Sequence, residues 1–419
     1  MKRIVMLALA ALLLAVPVVK AEQITITYLT YIHHGDAKLS YLESKAREYE
    51  ELHPNVQVDI IVGNQDKLRT MLAGGVDPDI HDLPDFSHLG AAGFYQDIMP
   101  LLQRDGLVRA YNPVVLNSMS TNDGKLYMVP EQVVSTVSFF NRDLFLASGV
   151  QTPETLGPGW NWDYLLNAGK KLTVDRNGDG TPESFGIDRG YAYWRRAIEA
   201  AGGDYYEFNA QGMPIKSLWT SPEVVTGLEY VALLWEEGTI PYGRVPRHEE
   251  YFFWTGKTAI DIVDAIAITG SYLSNVSFDW DMAIMPAGPA GPISSGAGGN
   301  GPFIFASTKN LEQVWDFCKF LFITRENVME YAKITGSIPA YVGAQASYAA
   351  ANNLLNKNYQ AVFEALNYLP PRSGGTLPAE LQPRSVNPLD AITGKIPVRQ
   401  YLEQLHTKMQ AIIDEQLGK

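Results

Sequence analysis

The sequence predicts an α/β protein with at least two domains, and two observations lead to this prediction. The first is a strand, helix, strand unit near the N-terminus. Apolar residues alternate over 24–28, recur at three- and four-residue steps over 39–52, and alternate again over 56–62. A helix that connects two strands in this way is typical of a parallel sheet. The second is the length of 419 residues, because single hydrophobic cores rarely exceed about 250 to 300 residues.

Helices and strands continue to alternate along the chain. Apolar spacing predicts helices over residues 68–73, 160–172, 224–235, 311–321 and 398–412. Strands are expected directly after Pro78-Asp79, over 259–266 and over 303–305. The stretch 286–302 is rich in Gly and Pro and has no apolar period, so no regular element is expected there.

The first 21 residues have the pattern of a secretory signal peptide. Lys2 and Arg3 precede an uncharged run over residues 4–19, and small residues, Val19 and Ala21, stand third-last and last before a cut. The run is shorter than the roughly 18 to 20 apolar residues that span a bilayer. We therefore expect cleavage after Ala21, export, and no transmembrane segment in the mature chain.

The expected mature chain is strongly acidic. Removal of Lys2, Arg3 and Lys20 leaves 30 Lys and Arg against 46 Asp and Glu, a charge of −16 over 398 residues. Nucleic acids and anionic membranes repel such a chain, so neither is expected as a partner. Cys318 is the single cysteine and lies in an apolar helical stretch. It is expected to be a buried thiol, without a disulfide or a lipid anchor.

A series of short patterns in a fixed order carries a family resemblance over essentially the whole mature chain. The patterns lie at residues 48–58, 78–80, 92–94, 124–130, 140–145, 162–163, 256–259, 335–340 and in the C-terminal helix. In this order they resemble the extracellular solute-binding proteins of ABC transporters, in the carbohydrate-binding group that includes maltose-binding protein. No single pattern is specific, and their order and spacing carry the resemblance.

The resemblance implies a two-lobed periplasmic binding protein fold of type II, with each lobe a sheet flanked by helices. The chain would cross between the lobes three times, near residues 131–136, 281–287 and 336–342. Residues 22–133 and 286–338 would form the N-terminal lobe, and residues 134–285 and 339–419 the C-terminal lobe. A carbohydrate ligand would hold the lobes closed, and the closed form would dock on the permease of an ABC importer. We expect a periplasmic monomer without enzymatic activity.

Candidate ligand-binding residues in the first lobe follow strands or lie on the crossings. Carboxylates, amides, guanidinium groups and aromatic rings recognise the hydroxyls and apolar faces of sugars, and the carboxyl ends of strands expose them. The loop after the first strand contributes Tyr31 and Asp36. The resemblance adds Asp82 and Asp85 after Ile80, although one of these two could instead cap a helix that begins near Phe86. It also adds further polar residues on or after the crossings, namely Glu131, Gln132 and Asn300.

In the second lobe the candidates are Trp194, Asp264 and Arg372. Residues 190–195 are dense in aromatic side chains, so Trp194 is either a platform for a sugar ring or a core residue. Asp264 and Ile266 depart from maltose-binding relatives, in which a glycine and then a tryptophan are common. One aromatic platform is therefore missing and an acid faces the cleft in its place. The acidic candidates disfavour strongly anionic sugars unless Arg372 or a histidine compensates.

Residues 175–183 resemble the first part of an EF-hand calcium loop. The oxygen ligands would come from Asp175, Asn177, Asp179, Thr181 and Glu183, but the twelfth position is Gly186 and not the usual glutamate. The alternatives are a structural Ca²⁺ site and an Asx turn that bonds to its own backbone. No other cofactor is required.

A secreted glycoside hydrolase is the competing class of function. It would also be acidic and rich in aromatic residues, and it would need two carboxylates, for which Asp82, Glu131 and Asp264 are available. The spacing of these residues does not favour it, and the sequence shows no nucleophile motif or phosphate-binding loop that we can assign. The sequence therefore predicts a protein that binds a sugar or sugar derivative.

Overall fold

The computed structural model describes residues 23–31, 35–83, 89–90, 92–121, 123–209, 213–263, 276–294, 298–352, 354–369, 377 and 379–418. Two four-stranded sheets and the helices around them confirm the α/β prediction. The strands are β1 (Ile24–Thr30), β2 (Val56–Val62), β3 (Ile80–His81), β4 (Gln132–Val134), β5 (Ser138–Asn141), β6 (Phe185–Asp188), β7 (Tyr206–Phe208), β8 (Pro214–Ser217), β9 (Thr258–Asp261), β10 (Trp280–Ala283), β11 (Gly298–Asn300) and β12 (Phe303–Ile304).

The helices follow the predicted apolar periods closely, with ends that differ by a few residues. The helices are α1 (Asp36–Leu52), α2 (Gln65–Ala73), α3 (Met99–Arg104), α4 (Pro113–Met119), α5 (Arg142–Ala147), α6 (Trp162–Leu172), α7 (Trp194–Ala200), α8 (Pro222–Glu236), α9 (Leu311–Phe322), α10 (Arg325–Thr335), α11 (Val342–Ala351), α12 (Gln360–Ala365), α13 (Leu389–Ile392) and α14 (Val398–Gln416). None of the described helices is long and apolar enough to cross a membrane.

The first sheet has the strand order β12-β3-β1-β2. β1 is parallel to both β2 and β3, whereas β12 returns antiparallel to β3. The apolar face of α1 packs on this sheet, because Tyr41, Leu42, Ala46 and Tyr49 recur at helical spacing and are buried. Cys318 of α9 lies in the same core, so it is a buried thiol as predicted, and burial raises its pKa.

The second sheet has the strand order β10-β5-β9-β6. β6 and β9 are parallel, and the other neighbours are antiparallel. Helix α6 approaches β6 so closely that a Cβ on Gly186 would lie 2.2 Å from the carbonyl oxygen of Gly169. Gly186 is therefore required by the packing of the α6 backbone on the β6 backbone.

Three segments that are distant in sequence run side by side and form a hinge. β4 pairs antiparallel with β11, and on its other side Val133 N donates to Ile338 O (2.8 Å) while Ala340 N donates to Glu131 O (3.0 Å). Residues 131–134 and 338–340 lie within the first and third predicted crossings. We call the segments 131–134, 298–300 and 338–340 the hinge segments.

The predicted second crossing overlaps a strand of the second sheet. The predicted segment, residues 281–287, begins inside β10, which belongs to the second sheet. The hinge segment that follows it is β11, which lies in the stretch 286–302 where no element was expected. Gly299 explains this difference, because a Cβ there would lie 2.5 Å from Met119 Sδ. Close backbone packing selects glycine at this position and removes the apolar alternation that would identify a strand.

Candidate functional site

The carboxyl ends of β1 and β3 form one wall of the candidate site. The two strands are parallel neighbours, so Asp82 after β3 meets Tyr31 after β1, and Tyr31 N donates to Asp82 Oδ1 (2.8 Å). Asp82 Oδ2 accepts hydrogen bonds from Lys38 Nζ (2.6 Å), Thr30 Oγ1 (2.8 Å) and Tyr28 Oη (3.2 Å). Lys38 is 1% exposed and also donates to Tyr31 O (3.1 Å). Both Asp82 oxygens are engaged by protein groups that order this wall.

Glu131, at the start of the first hinge segment, faces this wall. Burial raises the pKa of its carboxyl to about 7, the positive charge of Lys38 opposes this shift, and the negative charge of Asp82 adds to it. A hydrogen bond with Tyr331 of α10 also favours the ionised form. The structure thus brings together three predicted residues, Tyr31, Asp82 and Glu131, and adds Lys38, which the sequence analysis did not identify.

The pKa of Glu131 predicts a pH-dependent stability. Because the folded-state pKa of about 7 lies above the ordinary glutamate value of 4.5, the folded protein holds this proton more tightly than the unfolded chain. This tighter proton binding stabilises the folded state in full below about pH 4.5, and the stabilisation is lost as the pH rises through about 7. We expect the unfolding free energy of Glu131→Gln to change less with pH than that of the wild type. Urea unfolding of both proteins at pH 5 and at pH 7.5 measures this change.

The difference between wild type and Glu131→Gln is informative because other groups titrate equally in both proteins. Glu199 is the main such group, since burial raises its pKa to about 7 as well. Parallel stability curves for the two proteins over this pH range would contradict the prediction.

The other predicted residues occupy different environments. Asp36 is exposed and begins α1, and Asn300 is exposed while its backbone oxygen accepts a hydrogen bond from Glu131 N (2.9 Å). Gln132 is buried, and within the described chain its amide oxygen has no hydrogen-bond partner. Trp194 is 7% exposed and packs on Tyr205 and Trp219, which is the environment of a core residue. Three predicted residues lie outside the described residues: Asp85, Asp264 and Arg372.

The carboxyl ends of β6 and β9 form a second wall, which the sequence analysis missed. Asp188 ends β6 and Asp261 ends β9, and both carboxylates are fully buried beside Arg189. The available signal was the polar sequence Asp188-Arg189-Gly190 directly after the apolar residues of β6. The short strand was not recognised because it follows the glycine-rich loop 175–183.

The loop 175–183 bonds extensively to its own backbone. Asp175 Oδ1 accepts from Gly178 N (2.8 Å) and its Oδ2 from Gly180 N (2.9 Å). Asp179 Oδ1 accepts from Thr181 N (2.7 Å), and Glu183 Oε2 accepts from Arg176 N (2.7 Å). Over the described ranges, no three His, Cys, Asp or Glu side chains are grouped as metal ligands. The bonds are those of the Asx-turn alternative, and the Ca²⁺ site stays a prediction.

Asp175→Ala separates the two alternatives. The substitution removes two hydrogen bonds to backbone amides, so we expect a loss of about 1 to 3 kcal/mol in unfolding free energy. Thermal unfolding of both proteins in Ca²⁺, in Mg²⁺ and in chelator tests the metal. A rise of the wild-type midpoint that is specific for Ca²⁺ and absent from Asp175→Ala would establish the site. Equal midpoints in all three solutions would leave the turn without a metal.

Two sheets that present polar groups at their carboxyl ends, joined by three hinge segments, define a two-lobed ligand-binding protein. The model of the family of bacterial extracellular solute-binding proteins matches residues 35–323, and the chain belongs to this family.

Relatives and solved structures agree with this assignment. The chain is 25% identical to a maltooligosaccharide ABC transporter solute-binding lipoprotein of Streptococcus pneumoniae, over 75% of this chain and 72% of the relative. Its fold is similar to that of UspC of M. tuberculosis, with a TM-score of 0.72, 21% identity, and coverage of 93% and 100% of the two chains. A substrate-binding protein of Listeria monocytogenes in complex with cycloalternan gives a TM-score of 0.68, 21% identity, and coverage of 95% and 100%.

Proposed function

We propose that the protein is the periplasmic solute-binding component of an ABC importer and that it binds a neutral or weakly charged carbohydrate between its two lobes. The hinge is the observation that carries this proposal. Three separate segments lie side by side through backbone hydrogen bonds to one another, and in this proposal the lobes rotate about them while each sheet keeps its own core. A ligand that contacts both walls favours the closed state by its extra contacts.

The named relatives support the carbohydrate class. The names or bound ligands of similar proteins include maltooligosaccharides, arabinooligosaccharides and cycloalternan. These ligands differ in sugar and in linkage, so they support the class and not one particular sugar. Delivery to a membrane permease and secretion with a mature N-terminus at Glu22 are parts of the same proposal.

A thermal-shift screen tests carbohydrate binding. We expect a ligand at 100 times its dissociation constant to add about 2.7 kcal/mol to the unfolding free energy. The panel contains maltotriose, arabinotriose, mannotriose, their monosaccharides, and amino acids as controls. The absence of a shift with every carbohydrate would contradict the proposal. Small-angle scattering with and without the best ligand then tests closure, which should reduce the radius of gyration.

The contacts of Asp82 argue against a hydrolase. A carboxylate pair for glycoside hydrolysis needs both groups free to reach the substrate, whereas Asp82 is 5% exposed and both of its oxygens are bonded to protein groups, Lys38 Nζ among them at 2.6 Å. We infer that Asp82 orders the first wall and that the protein releases its ligand unchanged. Chromatography of each bound oligosaccharide after prolonged incubation tests this, and shorter products would overturn it.

A further inference from the structure

Glu131 connects the three hinge segments through its backbone. Its N–H donates to Asn300 O (2.9 Å) in one neighbouring segment, and its carbonyl oxygen accepts from Ala340 N (3.0 Å) in the other. A Cβ on Gly301 would lie 3.1 Å from the Cβ of Glu131, so the adjoining chain also limits the position of this residue. The side chain of Glu131 therefore leaves the hinge from a fixed point.

The first wall depends on one buried ammonium group. Lys38 Nζ donates to Asp82 Oδ2 (2.6 Å) and to Tyr31 O (3.1 Å), and Asp82 Oδ1 accepts from Tyr31 N (2.8 Å). This ion pair thus holds both backbone polar groups of Tyr31 at the carboxyl end of β1, the edge where α/β sheets bind ligands. Lys38 is 1% exposed, so water does not compete for its N–H groups.

The carboxyl group of Glu131 is a second acidic group beside this ammonium. Two carboxyl groups that face one cation do not ionise equally easily. Asp82 already accepts hydrogen bonds from four protein groups, so we assign the titrating proton to Glu131. Burial raises the pKa of the Glu131 carboxyl to about 7, and Lys38 and the hydroxyl of Tyr331 oppose this rise.

The other groups around Glu131 do not change their charge near pH 7. Three tyrosines of the described chain face it, namely Tyr28 of β1, Tyr41 of α1 and Tyr331 of α10. Burial raises the pKa of each further above its ordinary value of 10.0. Burial lowers the pKa of His81, beside Asp82, to about 4, so this ring is neutral as well. The adjoining hinge residues 298–300 and 338–340 carry no titratable side chain.

We propose that Glu131 is a positioning residue for the first wall, and that its ionisation draws Lys38 away from Tyr31 O and lowers the affinity of the cleft for its ligand. This inference rests on the proposed function and adds regulation by pH to the same site. An ammonium bonds more strongly to a carboxylate than to a neutral carbonyl, so Tyr31 O loses its donor when Glu131 ionises. Tyr31 is then held through its N–H alone, and the end of β1 is less ordered.

The direction of the pH effect follows from the linkage of ligand and proton. The ordered wall binds the ligand more tightly and contains protonated Glu131, so ligand binding takes up a proton. Affinity is therefore highest in acidic solution and decreases as the pH rises through about 7. If the protonated form binds about tenfold more tightly, the dissociation constant increases about fivefold between pH 6 and pH 8.

Calorimetric titration at pH 6, 7 and 8 tests this dependence. The probes are maltotriose, arabinotriose and mannotriose. At pH 7 each titration is repeated in phosphate and in imidazole buffer, because the two buffers differ in ionisation enthalpy and the difference in binding enthalpy counts the protons taken up. We expect the wild type to take up about 0.4 proton per ligand at pH 7.

Glu131→Gln removes the titrating group. We expect its dissociation constant to be the same at pH 6 and at pH 8, without proton uptake. Glu199→Gln is the matched control, because burial raises the pKa of Glu199 to about 7 as well, but this residue lies on α7 of the second lobe beside Arg196. The control should keep the change of about fivefold.

Tyr331→Phe tests the proposal independently of the folding of Glu131→Gln. The Tyr331 hydroxyl favours the ionised form of Glu131, so its removal should raise the pKa of this carboxyl further. The decrease in affinity should then occur at a higher pH than in the wild type. A packing defect alone would weaken binding at every pH and leave the midpoint of the profile unchanged.

Hydrogen exchange of the Tyr31 N–H provides a measurement without ligand. We expect slower exchange in Glu131→Gln than in the wild type at pH 8 and equal exchange at pH 6. If the wild type binds none of the probes, the proposed function fails, and the exchange rates still decide whether Glu131 acts on Tyr31. If a probe binds equally well at pH 6 and pH 8, or if the pH effect persists in Glu131→Gln, the positioning role is overturned and the carbohydrate function stands.

Discussion

A Lys38→Met variant is expected to lose about 3 to 5 kcal/mol of unfolding free energy. The substitution keeps an unbranched side chain of similar length but removes the charge that compensates Asp82. Because Lys38 is 1% exposed and Asp82 is 5% exposed, water cannot replace the lost partner without opening the wall. Urea unfolding followed by circular dichroism measures the loss. We also expect weaker ligand binding, because Lys38 fixes the backbone of Tyr31.

The exposed ion pair between Lys395 and Asp390 is the matched control for Lys38→Met. Its side chains are 71% and 55% exposed, so Lys395→Met should leave the unfolding free energy nearly unchanged. A double variant, Lys38→Met with Asp82→Asn, should recover part of the loss, because no unpaired charge then stays buried. If Lys38→Met and Lys395→Met are equally stable, the buried pair does not support the first wall.

Gly301→Ala is expected to disturb the hinge more than any other loss of a glycine between the lobes. A Cβ at this position would lie 1.8 Å from the carbonyl oxygen of Val129 and 3.1 Å from Glu131 Cβ. On either side, Val129 N donates to Pro302 O (2.8 Å) and Glu131 N donates to Asn300 O (2.9 Å). Since a backbone atom blocks the new methyl group, the strands must separate. We expect a loss of about 3 kcal/mol in unfolding free energy and a higher dissociation constant for the ligand.

Gly159→Ala provides the comparison for Gly301→Ala. Gly159 is exposed, and a Cβ there would meet its nearest neighbour, Leu156 Cβ, at an ordinary distance of 3.8 Å. The unfolding free energy of Gly159→Ala should be within about 1 kcal/mol of that of the wild type. Unfolding and ligand titration of the two variants under the same conditions measure both effects. An unchanged ligand affinity in Gly301→Ala would argue that closure does not depend on the spacing of the hinge segments.

Local patterns predicted most of the regular elements. The helices α1, α6, α8, α9 and α14 each bury one face at helical spacing, so their apolar period marks them in the sequence. The short strands were harder to predict. Gln132–Val134 and Gly298–Asn300 are strands because of their partners, which lie more than 160 residues apart in the sequence.

In the candidate site, too, residues marked by local sequence patterns could be predicted, and residues held by distant partners could not. Tyr31 could be predicted because it directly follows a strand, and Asp82 because the family resemblance marks the loop after Ile80. Lys38 could not, because an amphipathic helix usually exposes its lysines and only the distant Asp82 explains its burial. Asp188 and Asp261 of the second wall were missed because they meet only through the pairing of β6 and β9, 73 residues apart in the sequence. The ligand-binding roles of the predicted residues stay predictions until a ligand is bound.

The position of β12 has a consequence for the order in which the chain can fold during synthesis. The first sheet begins with residues 24–30 but takes its edge strand from residues 303–304, and the hinge takes its last segment from residues 338–340. A ribosome that has released only the first 297 residues has therefore produced a first sheet without its edge strand and a hinge with one of its three segments. The second sheet, with strands between residues 138 and 283, is complete by then. We expect the sheet that starts second to be the first that can complete its strand pairing, while the core on which it packs still waits for α14.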